Sequence, residues 1–195
     1  MSVRENKHSL FVEKHIILET FEVLHRKGEI PALRKLCGLY HSAFARNEQR
    51  DWKDIIAHGK PRKAAYTPTA VYAGDDLVGL CTYWTLTPGW CYLEHLAFFT
   101  RYRGCGLGSQ LLKQLRKGCE LVLEVEPPSL SSMAEKRLRF YLRNGFEILS
   151  KNYWQPPYRL EDQPTALWLL STTKVGTQKL ETEIHQCVYN ATEID

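Results

Sequence analysis

The hydrophobic positions of this chain recur at two different spacings, and the changes of spacing mark its helices and strands. Apolar residues recur every three or four positions across residues 30–44 and again across residues 106–117, which predicts two amphipathic helices. They alternate with polar residues across residues 120–126, which predicts a half-buried strand. A further helix is predicted across residues 133–144, because Gly145 suits the position that closes a helix. The chain therefore combines both kinds of element.

Runs rich in β-branched and aromatic residues predict the remaining strands. Residues 69–73 and 77–84 predict a hairpin, because the turn residues Gly74, Asp75 and Asp76 separate them. The other strands are predicted, in chain order, across residues 18–25, 90–99, 146–149 and 166–170. Residues 153–158, which are aromatic and rich in proline, are interpreted as the connection between the last two strands. This order of elements predicts an α/β domain built on a mixed sheet.

The two ends of the chain fall outside this pattern. Residues 1–17 are predicted to be an N-terminal extension, residues 18–171 a single domain, and residues 172–195 a C-terminal tail. The tail carries one candidate amphipathic helix from Thr177 onward. Residues 46–63 are strongly charged and predict a second helix or an ordered loop, followed by a basic link.

Composition and charge narrow the function classes. The 195 residues are 44% hydrophobic and 25% charged, which is typical of a globular protein. The net charge of +4 is mild and the cations are spread along the chain, so no nucleic-acid partner is expected. With no signal-like start and no apolar run near the roughly 18 residues of a membrane span, a cytoplasmic protein without a membrane partner is predicted. The six cysteines form no CxxC pair and are expected to be reduced, several of them as small buried side chains.

The candidate chemistry lies in a glycine-rich stretch between a predicted strand and a predicted helix. The stretch reads Arg103-Gly104-Cys105-Gly106-Leu107-Gly108-Ser109. Glycines let the main chain approach a bulky anion, and the free amides of a helix N-terminus can bind that anion. A phosphate or pyrophosphate ligand is therefore predicted, although a turn that merely caps the helix has the same composition. The spacing is neither that of a P-loop nor that of a dinucleotide fingerprint.

Together with two segments further along, this stretch resembles the GNAT superfamily of acyl-CoA-dependent N-acyltransferases. Its Arg-x-x-Gly-x-Gly order matches the family's pyrophosphate loop. Arg139-Phe140-Tyr141-Leu142-Arg143-Asn144-Gly145-Phe146 resembles the family's FYxxxGF segment, and Leu123-Glu124-Val125-Glu126 resembles the strand that leaves its neighbour to admit the pantetheine arm. The resemblance covers roughly residues 18–170 and is closest to small bacterial members. It implies the GNAT fold, an α/β fold with a mixed, mostly antiparallel sheet flanked by helices.

The resemblance also implies acetyl-CoA, or another acyl-CoA, as co-substrate, and no metal. Main-chain groups of Leu96, Ala97 and Phe98 are expected to pair with the pantetheine amides, and main-chain amides of the loop to hold the pyrophosphate. The loop residues in question are Arg103, Gly104, Cys105, Gly106, Leu107, Gly108 and Ser109. One departure is Ala134, which stands where many members place an asparagine that contacts the cofactor.

Two catalytic residues, Glu94 and Tyr141, follow from the same resemblance. An alkyl ammonium is protonated near neutral pH and cannot attack a thioester until another group accepts its proton. Glu94 lies where many GNAT proteins carry an acidic residue and is the candidate acceptor, although a carboxylate there also suits a plain salt bridge. Tyr141 matches the position that protonates or polarises the CoA sulfur. The alternatives for the base are His95, Glu124 and Glu126.

The resemblance predicts an N-acyltransferase, and favours N-acetyl transfer, in which an amine attacks the thioester directly. The amine belongs to an unidentified small molecule or protein, and its pocket is expected to include an aromatic set: Trp84, Trp90, Trp154 and Tyr158. Two alternatives stay open, a GNAT-fold module that binds acyl-CoA or a partner without turnover, and a nucleotide-binding domain. GNAT proteins often dimerise, so a homodimer is a further option.

Overall fold

A computed structural model of the protein describes residues 14–56, 65–159, 161–174 and 176–189. Its strands, in chain order, are β1 (Ile16–Thr20), β2 (Ala65–Ala73), β3 (Asp76–Thr85), β4 (Trp90–Phe98), β5 (Glu120–Val125), β6 (Glu147–Gln155) and β7 (Thr165–Ser171). Its α-helices are α1 (Phe21–Arg26), α2 (Ile30–Ala43), α3 (Trp52–Ile56), α4 (Leu107–Leu115), α5 (Ser132–Arg143) and α6 (Thr177–Cys187). None of the described helices is long and apolar enough to cross a bilayer.

The seven strands pair in the order β1-β2-β3-β4-β5-β7-β6. β1 is antiparallel to β2, and β7 is antiparallel to both of its neighbours. β4 and β5 are parallel, as expected of strands joined by a crossover helix, here α4. The predicted α/β fold, with a mixed and mostly antiparallel sheet flanked by helices, is confirmed.

The described chain divides into two compact units. The first takes residues 67–82 and 95–117, together with everything described before residue 57. Fully buried leucines contribute to its interior, among them Leu36, Leu80 and Leu111. The second unit takes the remaining residues and has a core rich in aromatic side chains. That core consists of Trp84, Leu86, Tyr92, Val122, Tyr153, Leu167, Leu169, Leu180, Ile184 and Val188.

The first strand differs from its prediction in position and length. A strand is predicted across residues 18–25, whereas β1 is Ile16–Thr20 and α1 follows it at once. The cause is a helix cap, because the Thr20 hydroxyl accepts a hydrogen bond from the Val23 amide at 3.3 Å. Ile16 and Ile17, which the pattern assigns to the extension, are therefore part of the sheet. Residues 1–13 of that extension lie outside the described chain.

β6 is also longer than its prediction. It runs to Gln155, so the first three residues of the predicted connection 153–158 belong to the strand. β6 lies at the edge of the sheet, with β7 as its paired neighbour, and its register shifts between Ile148 and Tyr153. Polar residues are tolerated at such an edge and obscure the alternation of the sequence. The helix predicted from Thr177 onward is confirmed by α6, and residues 57–63 of the charged segment lie outside the described chain.

β3 and β4 approach each other closely at Gly79. A Cβ atom placed on Gly79 would lie 2.3 Å from the carbonyl oxygen of Ala97 and 3.1 Å from the Cα of Phe98. Only a residue without a side chain fits at this distance. Just beyond, the Phe99 amide donates to the Val78 carbonyl at 3.0 Å. β3 therefore sets the path of the main chain at the end of β4.

A disulfide joins Cys91 on β4 to Cys119, which immediately precedes β5. The two Cα atoms are 5.9 Å apart, because these parallel strands begin side by side. The prediction that the cysteines are reduced is therefore wrong for this pair, whose separation of 28 residues gave no sign of it. Cys81 and Cys105 are free and buried, as expected of small apolar side chains.

Candidate active site

The glycine-rich loop joins β4 to α4 within the first unit. Gly104 and Gly106 have φ angles of 76° and 78°, which residues with side chains rarely adopt. Gly106 is the N-cap residue of α4, and no side chain caps the helix. The main-chain amides of the first turn are therefore available to an anion, which the helix dipole also favours.

Arg103 fastens this loop to the strand before it. Its Nε donates a hydrogen bond to the carbonyl oxygen of Phe98 at 2.9 Å. Cys105 and Leu107 are 2% and 1% exposed, so a ligand can reach them through their main chain but not their side chains. Ser109 is exposed in the first turn of α4. The loop thus presents main-chain N–H donors, and the hydrogen bond from Arg103 to Phe98 holds it in place.

The last residues of β4 follow the part of the strand that pairs with β5. That pairing runs from Trp90 and Glu120 to Tyr92 and Val122. The residues predicted to receive pantetheine lie beyond it, at Leu96, Ala97 and Phe98. Ala97 is buried, whereas Leu96 and Phe98 are half-buried.

His95 is a structural residue of the first unit. It is 2% exposed, and its Nε2 lies 2.9 Å from the carbonyl oxygen of Glu48. Because a carbonyl only accepts, Nε2 carries the proton, and Nδ1 accepts from the Thr82 hydroxyl at 2.9 Å. The ring also packs edge-on against Tyr40. Both ring nitrogens are engaged, which disfavours His95 as the base.

The other acidic candidates differ in their partners. Glu94, a half-buried residue of β4, accepts a hydrogen bond on Oε1 from the Tyr158 hydroxyl at 3.1 Å. Glu126, just after β5, forms a salt bridge with Arg137 at 2.7 Å. Its carboxylate is thus already engaged with a cationic side chain. Glu126 is therefore the poorest candidate of the acidic residues.

Glu124 lies on β5 in a cluster of tyrosines within the second unit. Its Oε2 accepts from the Tyr189 hydroxyl at 2.9 Å, and that hydroxyl lies 2.7 Å from the Tyr92 hydroxyl. Its Oε1 is shielded from solvent. The hydroxyl of Tyr153, a residue only 1% exposed, lies close enough to this carboxylate to stabilise its charged form.

The pKa of Glu124 lies close to neutral pH. Burial raises the pKa of Glu124 to about 7, and the charge of Glu94 adds to the increase. The nearby hydroxyls of Tyr153, Tyr189 and Tyr92 oppose it, because they stabilise the carboxylate. A carboxyl group with such a pKa can both accept and release a proton near pH 7.

Tyr141 lies on α5 and is 8% exposed. Its ring packs against Phe140 and Phe146, with centroid distances of 5.1 and 5.4 Å. Burial raises the pKa of Tyr141 to about 12, although the nearby charge of Arg137 opposes the increase. The hydroxyl therefore stays protonated at neutral pH, as a hydrogen-bond donor must.

The aromatic set predicted to line the acceptor pocket is not one group. Trp84 is 3% exposed in the core, with its ring 4.6 Å from that of Tyr66, whereas Trp154 is 58% exposed. Trp90 packs against the edge of the same core. Of the four, Tyr158 is the residue that contacts a candidate base.

Sequence reasoning missed three tyrosines of the cluster, namely Tyr92, Tyr153 and Tyr189. Tyr92 lies two residues before Glu94, so strand alternation places both on one face and could have identified it. Tyr153 was missed because residues 153–158 were predicted to connect two strands, whereas Tyr153 lies in β6. No pattern links Tyr189 to β5, since 65 residues separate it from Glu124.

Comparisons with known proteins identify a domain within the chain. Residues 67–148 match the family model of the acetyltransferase (GNAT) domain. Glu94, the glycine-rich loop and Tyr141 all fall within that range, and Tyr189 falls outside it. No curated protein sequence matches the chain.

Solved structures of acetyltransferases share the fold. One, described as a GNAT-family acetyltransferase from Bacteroides thetaiotaomicron, is 24% identical with a TM-score of 0.75, and the match covers 91% of this chain and 99% of that one. An acetyltransferase from Thermus thermophilus is 20% identical, with a TM-score of 0.53 and coverage of 80% and 96%. A variant of the SpeG spermidine N-acetyltransferase from Vibrio cholerae is 13% identical, with a TM-score of 0.54 and coverage of 80% and 92%. Residues 67–148 are therefore similar to the acetyltransferase (GNAT) domain, and the chain shares its fold with solved acetyltransferases.

Proposed function

We propose that this protein is an acetyl-CoA-dependent N-acetyltransferase that moves the acetyl group directly onto an amine. The observation that carries the proposal is the loop within the matched domain, where two glycines with positive φ lead into a helix with no side-chain cap. Amides from Gly104 to Ser109 bind the pyrophosphate of CoA. The main chain of Leu96, Ala97 and Phe98 pairs with the pantetheine amides as an added strand would.

The reaction consists of one displacement at the thioester. The neutral amine nitrogen attacks the carbonyl carbon, a C–N bond forms, the C–S bond breaks and CoA leaves as the thiolate. The nitrogen sheds its second proton as the amide forms, and the thiolate takes up a proton to give free CoA. The ammonium must first lose a proton, and the candidate acceptors are the carboxylates of Glu94 and Glu124. Glu124 is the better final acceptor, because its pKa lies near 7. Tyr141 donates a hydrogen bond or a proton to the departing sulfur.

The proposal is tested by release of free thiol from acetyl-CoA in the presence of a broad panel of amines. We expect release that depends on the amine, with an equal amount of acetylated product detected by mass spectrometry. Binding of CoA without amine-dependent release would assign the protein to the GNAT-fold binding modules instead.

Tyr141→Phe is expected to lower kcat about 100-fold while leaving the affinity for CoA unchanged. The change keeps the ring that packs against Phe146 and removes only the hydroxyl. Steady-state kinetics and calorimetric CoA binding measure the two quantities. Tyr72→Phe, a tyrosine of β2 in the first unit, is the matched control. A full-rate Tyr141→Phe enzyme would return the residue to a packing role.

Glu94→Gln distinguishes the two carboxylates. If Glu124 is the final proton acceptor, loss of the neighbouring charge lowers the pKa of Glu124, because that charge raises it in the native protein. The rising limb of the kcat/KM profile then moves to lower pH and keeps its shape. A limb that instead becomes flat would identify Glu94 itself as the base.

A further inference from the structure

The disulfide between Cys91 and Cys119 encloses the part of the chain that is proposed to bind CoA. The two cysteines lie 28 positions apart, so the covalent ring contains the end of β4, the glycine-rich loop and α4. Residues 96–98, proposed to pair with pantetheine, and residues 104–109, proposed to bind the pyrophosphate, are inside this ring. A bond that closes a ring restricts the freedom of every residue within it. The disulfide therefore constrains the proposed donor site through the chain itself.

The two strands that the disulfide joins share few main-chain contacts. β4 and β5 pair at three positions, from Trp90 and Glu120 to Tyr92 and Val122. A further hydrogen bond runs from the Glu120 amide to the Gly89 carbonyl at 2.7 Å. Parallel pairing is slightly less stable per residue than antiparallel pairing, so a ladder of three positions resists local opening only weakly. The covalent bond is thus a large part of what holds the start of β4 beside the start of β5.

The two ends of the disulfide differ in their access to reagents. Cys91 is 7% exposed, whereas Cys119 is half-buried. Cys119 also follows three exposed residues at the end of the connection from α4, namely Arg116, Lys117 and Gly118. The two cations among them favour the approach of an anion such as a thiolate. A thiolate therefore reaches Cys119 more readily than Cys91.

A dithiol can open the bond by thiol–disulfide exchange. One thiolate of the dithiol attacks Sγ of Cys119, the S–S bond breaks, and Cys91 leaves as a thiolate that takes up a proton. The second thiol of the reagent then displaces Cys119, which also ends as a thiol. Two electrons and two protons have passed from the dithiol to the cysteine pair, and the reagent ends as a disulfide. Oxidised glutathione reverses the change and is itself reduced to two thiols.

We propose that the Cys91–Cys119 pair is a redox site that sets the affinity for the acyl-CoA donor. In the oxidised protein the closed ring keeps the donor-binding residues in the arrangement that binds. In the reduced protein the short β4–β5 pairing opens locally more often, and the apparent affinity falls in proportion to the competent fraction. The proposal rests on the proposed function, because the CoA contacts belong to it, and adds regulation by thiols.

Calorimetric titration with acetyl-CoA, before and after reduction, tests the proposal. Acetyl-CoA carries no free thiol and so does not itself open the disulfide, and dithiothreitol is removed by anaerobic gel filtration before the titration. We expect the Kd to rise about tenfold on reduction, which corresponds to a competent fraction of about one in ten. Treatment with oxidised glutathione should restore the original Kd. Titration of thiols in the denatured protein should give the four free cysteines before reduction, and these four plus the pair, six in all, after it.

Two variants separate the pair from the other cysteines. The double variant Cys91→Ser/Cys119→Ser should bind acetyl-CoA as weakly as the reduced protein and no longer respond to dithiothreitol. Cys37→Ser, which replaces a half-buried free cysteine of α2, is the matched control and should keep the full response. Circular dichroism should show a folded protein at 25 °C in both redox states, with a Tm lower by about 10 °C after reduction.

The outcomes distinguish the inference from the proposed function. Equal affinity in the two redox states, with the thiol count changed from four to six, would leave the disulfide purely structural and overturn the inference. Six thiols after treatment with oxidised glutathione, or unfolding on reduction, would overturn it as well, while acetyl-CoA binding by the untreated protein still supports the transferase. Binding in neither state would reject both.

Discussion

Gly106→Asp is expected to lower the affinity for CoA by at least about 100-fold. The substitution places a carboxylate among the amides that start α4, where the proposed pyrophosphate carries negative charge. Charges of the same sign in contact near a protein surface repel by about 4 kcal/mol, which is enough for this loss. Isothermal titration with CoA measures it directly.

The loop prediction needs a control for backbone strain, because Gly106 has a φ of 78°. Gly28 has a φ of 74°, and a Cβ placed there would meet nothing within 4 Å. Gly28→Asp therefore imposes similar strain away from the loop and should keep CoA affinity. Gly108→Asp supplies the complementary variant, since it lies in the first turn of α4, where an acidic residue favours the helix. Normal affinity in both loop variants would reject the pyrophosphate assignment.

Glu124→Gln is expected to reduce kcat by about 100- to 10,000-fold, the range typical of a lost general base. Glutamine preserves the size of the side chain and can still accept from Tyr189, but it cannot take a proton. The rising limb of the rate profile near pH 7 should disappear with it. Glu126→Gln is the matched control, because Glu126 is engaged with Arg137. Equal rates for the two variants would remove Glu124 from the mechanism.

Glu124→Gln is also expected to change how the free energy of unfolding depends on pH. The pKa of Glu124 is higher in the folded protein than in the unfolded chain, so between about pH 4.5 and 7 the folded state holds more protons. The free energy of unfolding of the native protein therefore falls as pH rises through this window. Glu124→Gln lacks this loss and should gain up to about 3 kcal/mol relative to the native protein between pH 4 and pH 8, measured by urea unfolding.

Much of the fold is readable from local patterns. The hydrophobic spacing identified α2, α4 and α5 to within a few residues, and the alternation of residues 120–126 identified β5. The glycine-rich loop could be identified from the sequence because the residues proposed to bind the anion are consecutive in the chain. Positive φ at Gly104 and Gly106 is a property that neighbours in the chain determine.

The remainder depends on contacts between distant residues. Thr20 ends β1 by capping a helix, and the edge position of β6 hides its alternation among polar residues. Cys91 meets Cys119 only because two parallel strands begin together. Tyr189 reaches Glu124 only after the core has placed α6. Such contacts leave no periodic trace in the sequence, so the loop was predicted and the tyrosine cluster was not.

Gly79 lies against the backbone of two residues that are proposed to bind pantetheine, Ala97 and Phe98. It makes no proposed contact with the cofactor, yet a methyl group there would collide with the Ala97 carbonyl and displace the backbone of Phe98. A genetic screen for loss of CoA binding is therefore expected to recover substitutions of Gly79 as well as substitutions in the glycine-rich loop. A list of residues that contact the ligand would omit Gly79. Any redesign of the preference for the acyl donor should accordingly change the residues of β3 and of the end of β4 together.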